Sequence, residues 1–196
     1  MAMAGIDARG FQLVLLRRMA DFQPERVEEA VRALGASRTE MREANRRWQA
    51  MIRSTRAPTG ARRYSAVLGP AETVRDQSIG DLACRAHRWP LDLWPDLRFE
   101  VVALPNGAVV QEWLVRFTDA SAPALRDVTD LEPWSCVIDD VARAFAPATP
   151  LEGTAPSRWR LMFSAPDTEG HSGRFVADFT WGLLQRVTRA DQGAAG

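Results

Sequence analysis

The hydrophobic spacing changes once along this chain, and that change limits the folds it can adopt. Up to the segment Ala57-Pro58-Thr59-Gly60, apolar residues recur every three or four positions, the spacing of amphipathic helices. From Tyr64 onward they alternate, as in strands with one buried face. Helices followed by strands, without regular strand–helix–strand alternation, predict an α+β fold with an antiparallel sheet.

Three helices are expected before the change of spacing. Pro24 begins the second of them and Gly35 ends it. Ser37 and Glu40 form a capping box for the third. The sequence therefore predicts an Arg-rich helical segment over residues 1–57 that precedes the sheet.

A β-sheet domain is expected over residues 64–189, and two of its hairpins stand out. The first pairs residues 97–104 with 108–117 through a loop ending at Gly107, in a register that puts Phe99 opposite Trp113 and Glu112 on the other side. The second pairs the alternating apolar residues Trp159, Leu161 and Phe163 with Phe175, Ala177, Phe179 and Trp181. Weaker alternation predicts short strands at 64–68, 72–77 and 82–89. One further helix is expected at 131–145, packed on the sheet.

Composition excludes several classes of protein. The chain has 196 residues, 46% of them hydrophobic and 26% charged, which fits one globular domain with or without a helical appendage. No apolar run is long enough to cross a membrane, so a cytoplasmic protein is expected. Cys84 and Cys136 are expected to be reduced packing residues, and the Cys and His spacing predicts no metal site. Without a lysine or a glycine-rich phosphate loop, no nucleotide cofactor is expected.

Charge is unevenly distributed along the chain. Residues 1–63 hold 13 arginines and 7 acidic residues, a net charge of +6, and the remainder carries −6. All 25 basic residues are arginines, for which GC-rich bacterial coding is the simplest explanation. Each guanidinium can still form forked contacts to a carboxylate or a phosphate. The asymmetry indicates either an acidic partner for the helical segment or attraction between the two parts of the chain.

The stretch from Val27 to Met41 resembles the core of a helix-turn-helix motif, with Leu-Gly-Ala-Ser as its turn. This resemblance implies that the third helix would enter the DNA major groove and present Arg38, Arg42 and Arg46. The alternative is a helical hairpin that packs on the sheet with its arginines in solvent or against a protein. Val31, at a normally small position, together with Glu40 and Glu43, favours this alternative.

Two tryptophans bracket a Pro-containing loop at Trp89-Pro90 and Trp94-Pro95. Large apolar side chains are harder to bury in a loop, so this segment is interpreted as a docking surface or a pocket rim. The lead hypothesis is a non-catalytic protein that contacts an acidic partner, protein rather than DNA, through Arg38, Arg42, Arg46, Trp89 and Trp94.

The competing hypothesis is a small enzyme or ligand-binding protein with an aromatic-lined pocket in a curved sheet. Its acid–base or polar groups would come from Glu100, Glu112, Asp178 and His87, with Trp113 in the lining. This hypothesis requires two or more of those polar side chains to reach the same cavity. No catalytic residue is assigned from the sequence.

Overall fold

The structure is a computed structural model that describes residues 6–118 and 122–190, and it has an α+β fold, as predicted. Four helices come first: α1 (Ala8–Met19), α2 (Pro24–Ala33), α3 (Arg38–Arg53) and α4 (Ala61–Leu68). Strands β1 (Thr73–Ile79), β2 (Leu82–Pro90), β3 (Leu97–Ala103) and β4 (Val109–Arg116) form one sheet in that order. After α5 (Ile138–Ala144), a second sheet follows in chain order with β5 (Thr149–Ala155), β6 (Arg158–Pro166), β7 (Ser172–Thr180) and β8 (Leu183–Arg189).

The chain divides into two compact units, one ending at Glu112 and the other beginning at Trp113. Helices α1–α4 belong to the first unit together with β1–β3. The boundary predicted between residues 57 and 64 therefore falls inside this unit. The prediction of one sheet also differs from the structure, which forms two four-stranded sheets.

The core of the first unit is an aromatic cluster contributed by both helices and strands. The ring of Phe11 on α1 lies 5.1 Å from Trp48 on α3 and 4.9 Å from Phe99 on β3. Tyr64 on α4 lies 5.7 Å from Phe99 and 6.2 Å from Trp89. Edge-to-face and tilted aromatic pairs of this kind add to the stability gained from burial. They hold the Arg-rich helices against the sheet.

The second unit has a separate core between its sheet and α5. Phe145, at the end of α5, stacks 5.2 Å from Phe163 on β6. Phe163 lies opposite Phe175, and Trp159 lies opposite Phe179, in the antiparallel pairing of β6 with β7. The predicted hairpin is therefore confirmed.

Several local predictions agree with the structure in detail. Ser37 and Glu40 form the predicted capping box at the start of α3. Strands β1 and β2 lie close to the predicted ranges 72–77 and 82–89. In the loop between β3 and β4, the Leu104 amide donates to the Ala108 carbonyl at 2.9 Å, and Gly107 has a φ of 85°. The three-residue loop is thus present where the Pro-Asn-Gly sequence predicts it.

The predicted strand at 64–68 is wrong, because these residues belong to α4. Tyr64 and Val67, which read as alternating apolar residues, are both buried at helical spacing. Gly60, immediately before α4, has a φ of 59° and permits the turn into the helix.

The predicted helix at 131–145 is shorter in the structure. A 3₁₀ turn occupies Val128–Asp130, and α5 begins only at Ile138. Trp134, in between, has a φ of 68° and its amide donates to the Leu184 carbonyl at 2.8 Å. A backbone bond to β8 therefore replaces the helical bond expected there. Within residues 6–118 and 122–190, no helix is both long and apolar enough to cross a membrane.

Candidate binding surface

Helix α3 presents arginines on the side opposite its buried face. Met41, Ala44 and Trp48 point into the core of the first unit. Arginines at a four-residue spacing lie on another side of the same helix, and we call Arg38, Arg42 and Arg46 the arginine stripe. All three are exposed, with side-chain exposures of 67% for Arg38 and 78% for Arg46. The sequence spacing predicted this separation of faces, and the structure has it.

Carboxylates of the same unit contact two arginines of the stripe. Arg38 forms an ion pair with Glu28 of α2. Arg46 contacts Glu43 at 2.8 Å, and hydrogen bonds from Arg46 and Arg47 lower the pKa of Glu43 to about 2. For Arg42, the described contacts give a weak hydrogen bond to the Arg38 carbonyl, 3.4 Å long, and no carboxylate among the described residues. Arg42 is therefore the least compensated charge of the stripe.

A groove of about 320 Å³ lies beside the stripe, among α1, α2 and α3. Its rim carries charged groups from all three helices: Arg17, Glu28, Arg38 and Arg42. Its floor is apolar and consists of Ala20, Pro24, Val27, Val31 and Met41. We call this feature the helical groove. The sequence predicted the apolar stripes of the helices, but a groove between them depends on how the helices pack.

The Trp/Pro loop was predicted to expose its two indoles to a partner, and this is wrong because both indoles are buried. Trp89 is 1% exposed and Trp94 is 7% exposed. The Trp89 indole N–H donates to the Gly69 carbonyl at 2.9 Å, and the ring packs against Tyr64. These tryptophans therefore stabilise the first unit and leave no exposed indole for a partner.

Gln12 forms hydrogen bonds to the loop between Trp89 and Trp94. It is 1% exposed on α1, and its side-chain oxygen accepts a hydrogen bond from the Leu93 amide at 2.9 Å. Its amide nitrogen also approaches Asp92 at 3.4 Å. Because a buried polar group needs partners, this glutamine anchors the loop between the two tryptophans. A polar residue among the apolar residues of α1 was the sequence signal for this role.

Several residues of the predicted pocket contact other side chains in the described structure. Glu100 on β3 is paired with Arg88 at 2.6 Å, across the β2–β3 ladder. In the second unit, Asp178 lies between two arginines of neighbouring strands, Arg186 at 2.7 Å and Arg160 at 3.4 Å. Trp113 packs edge-to-face against Trp159, with ring centres 5.2 Å apart.

Glu112, another member of the predicted polar set, contacts a residue of α4. It accepts a hydrogen bond from the buried Tyr64 hydroxyl. The Tyr64 ring itself packs on Phe99, with ring centres 5.7 Å apart. The contact with Glu112 gives the phenol of Tyr64 a hydrogen-bond acceptor inside the core.

Burial raises the pKa of Glu112, although the Tyr64 hydrogen bond and Arg63 oppose the shift. A carboxyl whose pKa is higher in the folded state stabilises the fold when protonated, and this contribution is lost as pH rises through the folded pKa. Relative to Glu112→Gln, the wild type should therefore lose free energy of unfolding as pH rises above about 4.3. Urea unfolding of both proteins across this pH range measures the difference.

The control for this prediction is Glu29→Gln, which removes an exposed carboxylate of α2. The difference in free energy of unfolding between Glu112→Gln and the wild type should change with pH. The difference between Glu29→Gln and the wild type should change less. Parallel pH profiles for the two variants would contradict the assignment of a raised pKa to Glu112.

His87, a member of the predicted polar set, lines a cleft. This cleft of about 870 Å³ lies in the first unit and is also lined by Arg62, Asp76, Cys84 and Arg85. Burial and the nearby Arg85 charge lower the pKa of His87. Among the described residues, no group of His, Cys, Asp and Glu could hold a metal ion.

The chain matches no family model and no curated protein. Among solved structures, it is similar to a candidate β-lactamase inhibitor protein from Streptococcus mutans, with 12% sequence identity and a TM-score of 0.28. The similarity covers 71% of this chain and 86% of that chain. A similarity at this level supports no conclusion about function, which therefore has to be argued from the site itself.

Proposed function

We propose that this chain is a non-catalytic binding protein whose arginine stripe contacts an acidic surface of another protein. The observation that carries the proposal is the exposure of Arg38, Arg42 and Arg46 on one side of a helix whose other side is anchored in the core. The buried Trp89 and Trp94 are not part of this surface. The cytoplasmic location expected from the sequence stays a prediction.

The ion pairs within the first unit do not prevent such binding. Arg38–Glu28 and Arg46–Glu43 are exposed pairs, and pairs of this kind contribute little to stability. Carboxylates of a partner can therefore replace Glu28 and Glu43 at small cost. Because a guanidinium binds a carboxylate through two parallel hydrogen bonds, the stripe also suits carboxylates geometrically.

The surroundings of the stripe favour protein over DNA. Glu40 and Glu43 lie on α3 among the arginines, and Glu40 accepts hydrogen bonds from Arg9. A duplex presents phosphates along both strands and would bring negative charge close to these carboxylates. A protein surface can place neutral or basic groups there and acidic groups opposite the arginines.

Fluorescence anisotropy with a labelled oligoglutamate peptide at low salt tests the proposal. Wild type should bind the peptide, and binding should weaken as salt is raised. The variant Arg38→Gln/Arg42→Gln/Arg46→Gln should bind about tenfold more weakly, because three charge contacts are lost. A control with the same charge change in the second unit, Arg143→Gln/Arg174→Gln/Arg189→Gln, should bind like the wild type.

Two results would overturn the proposal. One is equal binding of the peptide by the stripe variant and the wild type. The other is tighter binding of random-sequence duplex DNA than of oligoglutamate, with a steep salt dependence that the stripe variant loses. The second result would establish the helix-turn-helix alternative instead.

A second candidate function is the binding of a small ligand in the cleft beside His87. The observation that favours it is that His87, Arg62 and Arg85 line the same space. Glu100 and Asp178 are ion-paired and Glu112 is held by Tyr64, so none of the predicted carboxylates is offered as an acid or base in this cleft. NMR shifts of the His87 ring upon addition of small carboxylates or phosphate would test it. An unchanged ring signal would exclude these anions as ligands.

A further inference from the structure

The helical groove beside the arginine stripe can select a ligand by its apolar side chains as well as by its charge. Its floor is apolar, and its rim combines three arginines with one glutamate. We propose that the groove binds an acidic segment of the partner protein and seats one apolar side chain of that segment on its floor. This inference rests on the proposed function and adds the kind of segment that the partner must carry.

The floor of the helical groove includes three buried side chains. Val27 and Val31 lie one turn apart on α2 and are buried, as is Met41 on α3. β-branched side chains have few rotamers, so this part of the floor is formed before a ligand arrives. Met41 can adapt to ligands of different shape because its side chain is flexible and polarisable. A preformed apolar floor favours an apolar side chain because little has to be reordered on binding.

The rim determines the charge of the segment. Arg17 lies 3.7 Å from Asp21, and Arg38 is paired with Glu28, while Arg42 contacts no carboxylate of the described residues. Three arginines and two carboxylates, Glu28 of the rim and Asp21 beside Arg17, surround the floor, so the net charge there is positive. Carboxylates on both sides of the apolar side chain would therefore be attracted to it.

The size of the groove limits how much of the partner enters it. Its volume of about 320 Å³ is at the lower end of the range for ligand pockets. One large apolar side chain with its flanking backbone fits this space. The inferred recognition element is thus a short acidic segment with a single apolar anchor, a form of peptide-in-groove recognition.

Two labelled peptides separate the groove from the stripe: an oligoglutamate with a central leucine, and the same peptide with serine in its place. The full chain should bind the leucine peptide about tenfold more tightly, because the leucine leaves water. Ala20→Leu, which fills the floor without changing charge, should abolish this preference. Arg42→Gln should weaken binding of both peptides about threefold, and Arg53→Gln, an exposed arginine of α3 outside the groove, should not.

Three outcomes would overturn this inference. Equal binding of both peptides by the wild type, with the loss expected for the stripe variant, would overturn the groove and leave the stripe. Binding of neither peptide would overturn both proposals. Persistence of the leucine preference in Ala20→Leu would also overturn the groove.

A direct mapping experiment covers the case in which Ala20→Leu does not fold, as judged by circular dichroism. A peptide with a photo-crosslinking benzoylphenylalanine in place of leucine should label wild-type protein within residues 17–42. Labels confined to any other part of the chain would overturn the inference.

Discussion

Phe99→Ala should lower the free energy of unfolding by about 3–5 kcal/mol, the usual cost of removing a buried phenyl ring. Phe99 is fully buried, and its ring lies 4.9 Å from Phe11 and 5.7 Å from Tyr64. Loss of the ring leaves a cavity between β3, α1 and α4. Helix α1 in turn packs against α3, which carries the arginine stripe. Urea unfolding followed by tryptophan fluorescence measures the effect.

A matched substitution tests whether burial is the cause. Phe117→Ala removes the same side chain from a position that is 48% exposed. It should cost far less than Phe99→Ala, because little apolar surface is transferred to water. Similar losses for the two variants would contradict the assignment of Phe99 to the core of the first unit.

Asp140→Ala should lower the free energy of unfolding by about 3–5 kcal/mol, because it leaves a buried arginine without its carboxylate. The Asp140 side chain is 1% exposed and accepts a hydrogen bond from Arg116 Nε at 2.9 Å. The same carboxylate oxygen accepts the Val137 amide at 2.9 Å, at the start of α5. Chemical unfolding of the variant and the wild type at neutral pH measures the loss.

The neighbouring residue provides the control for this prediction. Asp139 is exposed on the same helix, so Asp139→Ala should change stability by less than about 1 kcal/mol. The double variant Arg116→Met/Asp140→Leu should recover part of the loss, since it leaves no unpaired charge in the core. Equal losses for Asp139→Ala and Asp140→Ala would contradict this account.

Asp139 and Asp140 also illustrate how far residue type alone can be interpreted. Adjacent residues of a helix point in different directions, and this geometry keeps the two carboxylates apart. It did not reveal which carboxylate would be buried. That depends on Arg116, which lies on β4 and reaches Asp140 only in the folded second unit.

The candidate binding surface was predictable in part. The four-residue spacing of Arg38, Arg42 and Arg46, opposite an apolar stripe, indicated an exposed arginine face, and the structure places all three in solvent. The interpretation of Trp89 and Trp94 failed because exposure of a loop residue depends on what packs over it. Here Tyr64, from a segment predicted as a strand, contacts Trp89, and Gln12 of α1 anchors the loop.

The features that depend on neighbours along the chain could be predicted without the structure. These are the helical spacing before residue 57, the Ser37–Glu40 capping box, the Gly107 loop and the alternation of the β6–β7 hairpin. Each follows from backbone geometry or from hydrogen bonds between residues a few positions apart. Such interactions can be recognised without knowing the rest of the fold.

The features that depend on distant residues follow from the tertiary structure. It turned 64–68 into a helix whose Tyr64 packs on Phe99, and it shortened the helix at 131–145 through the bond from Trp134 to Leu184. It also divided the strands into two sheets and formed the helical groove. Local preferences at these places are weak, so burial of apolar surface and hydrogen bonds between distant segments determine the outcome.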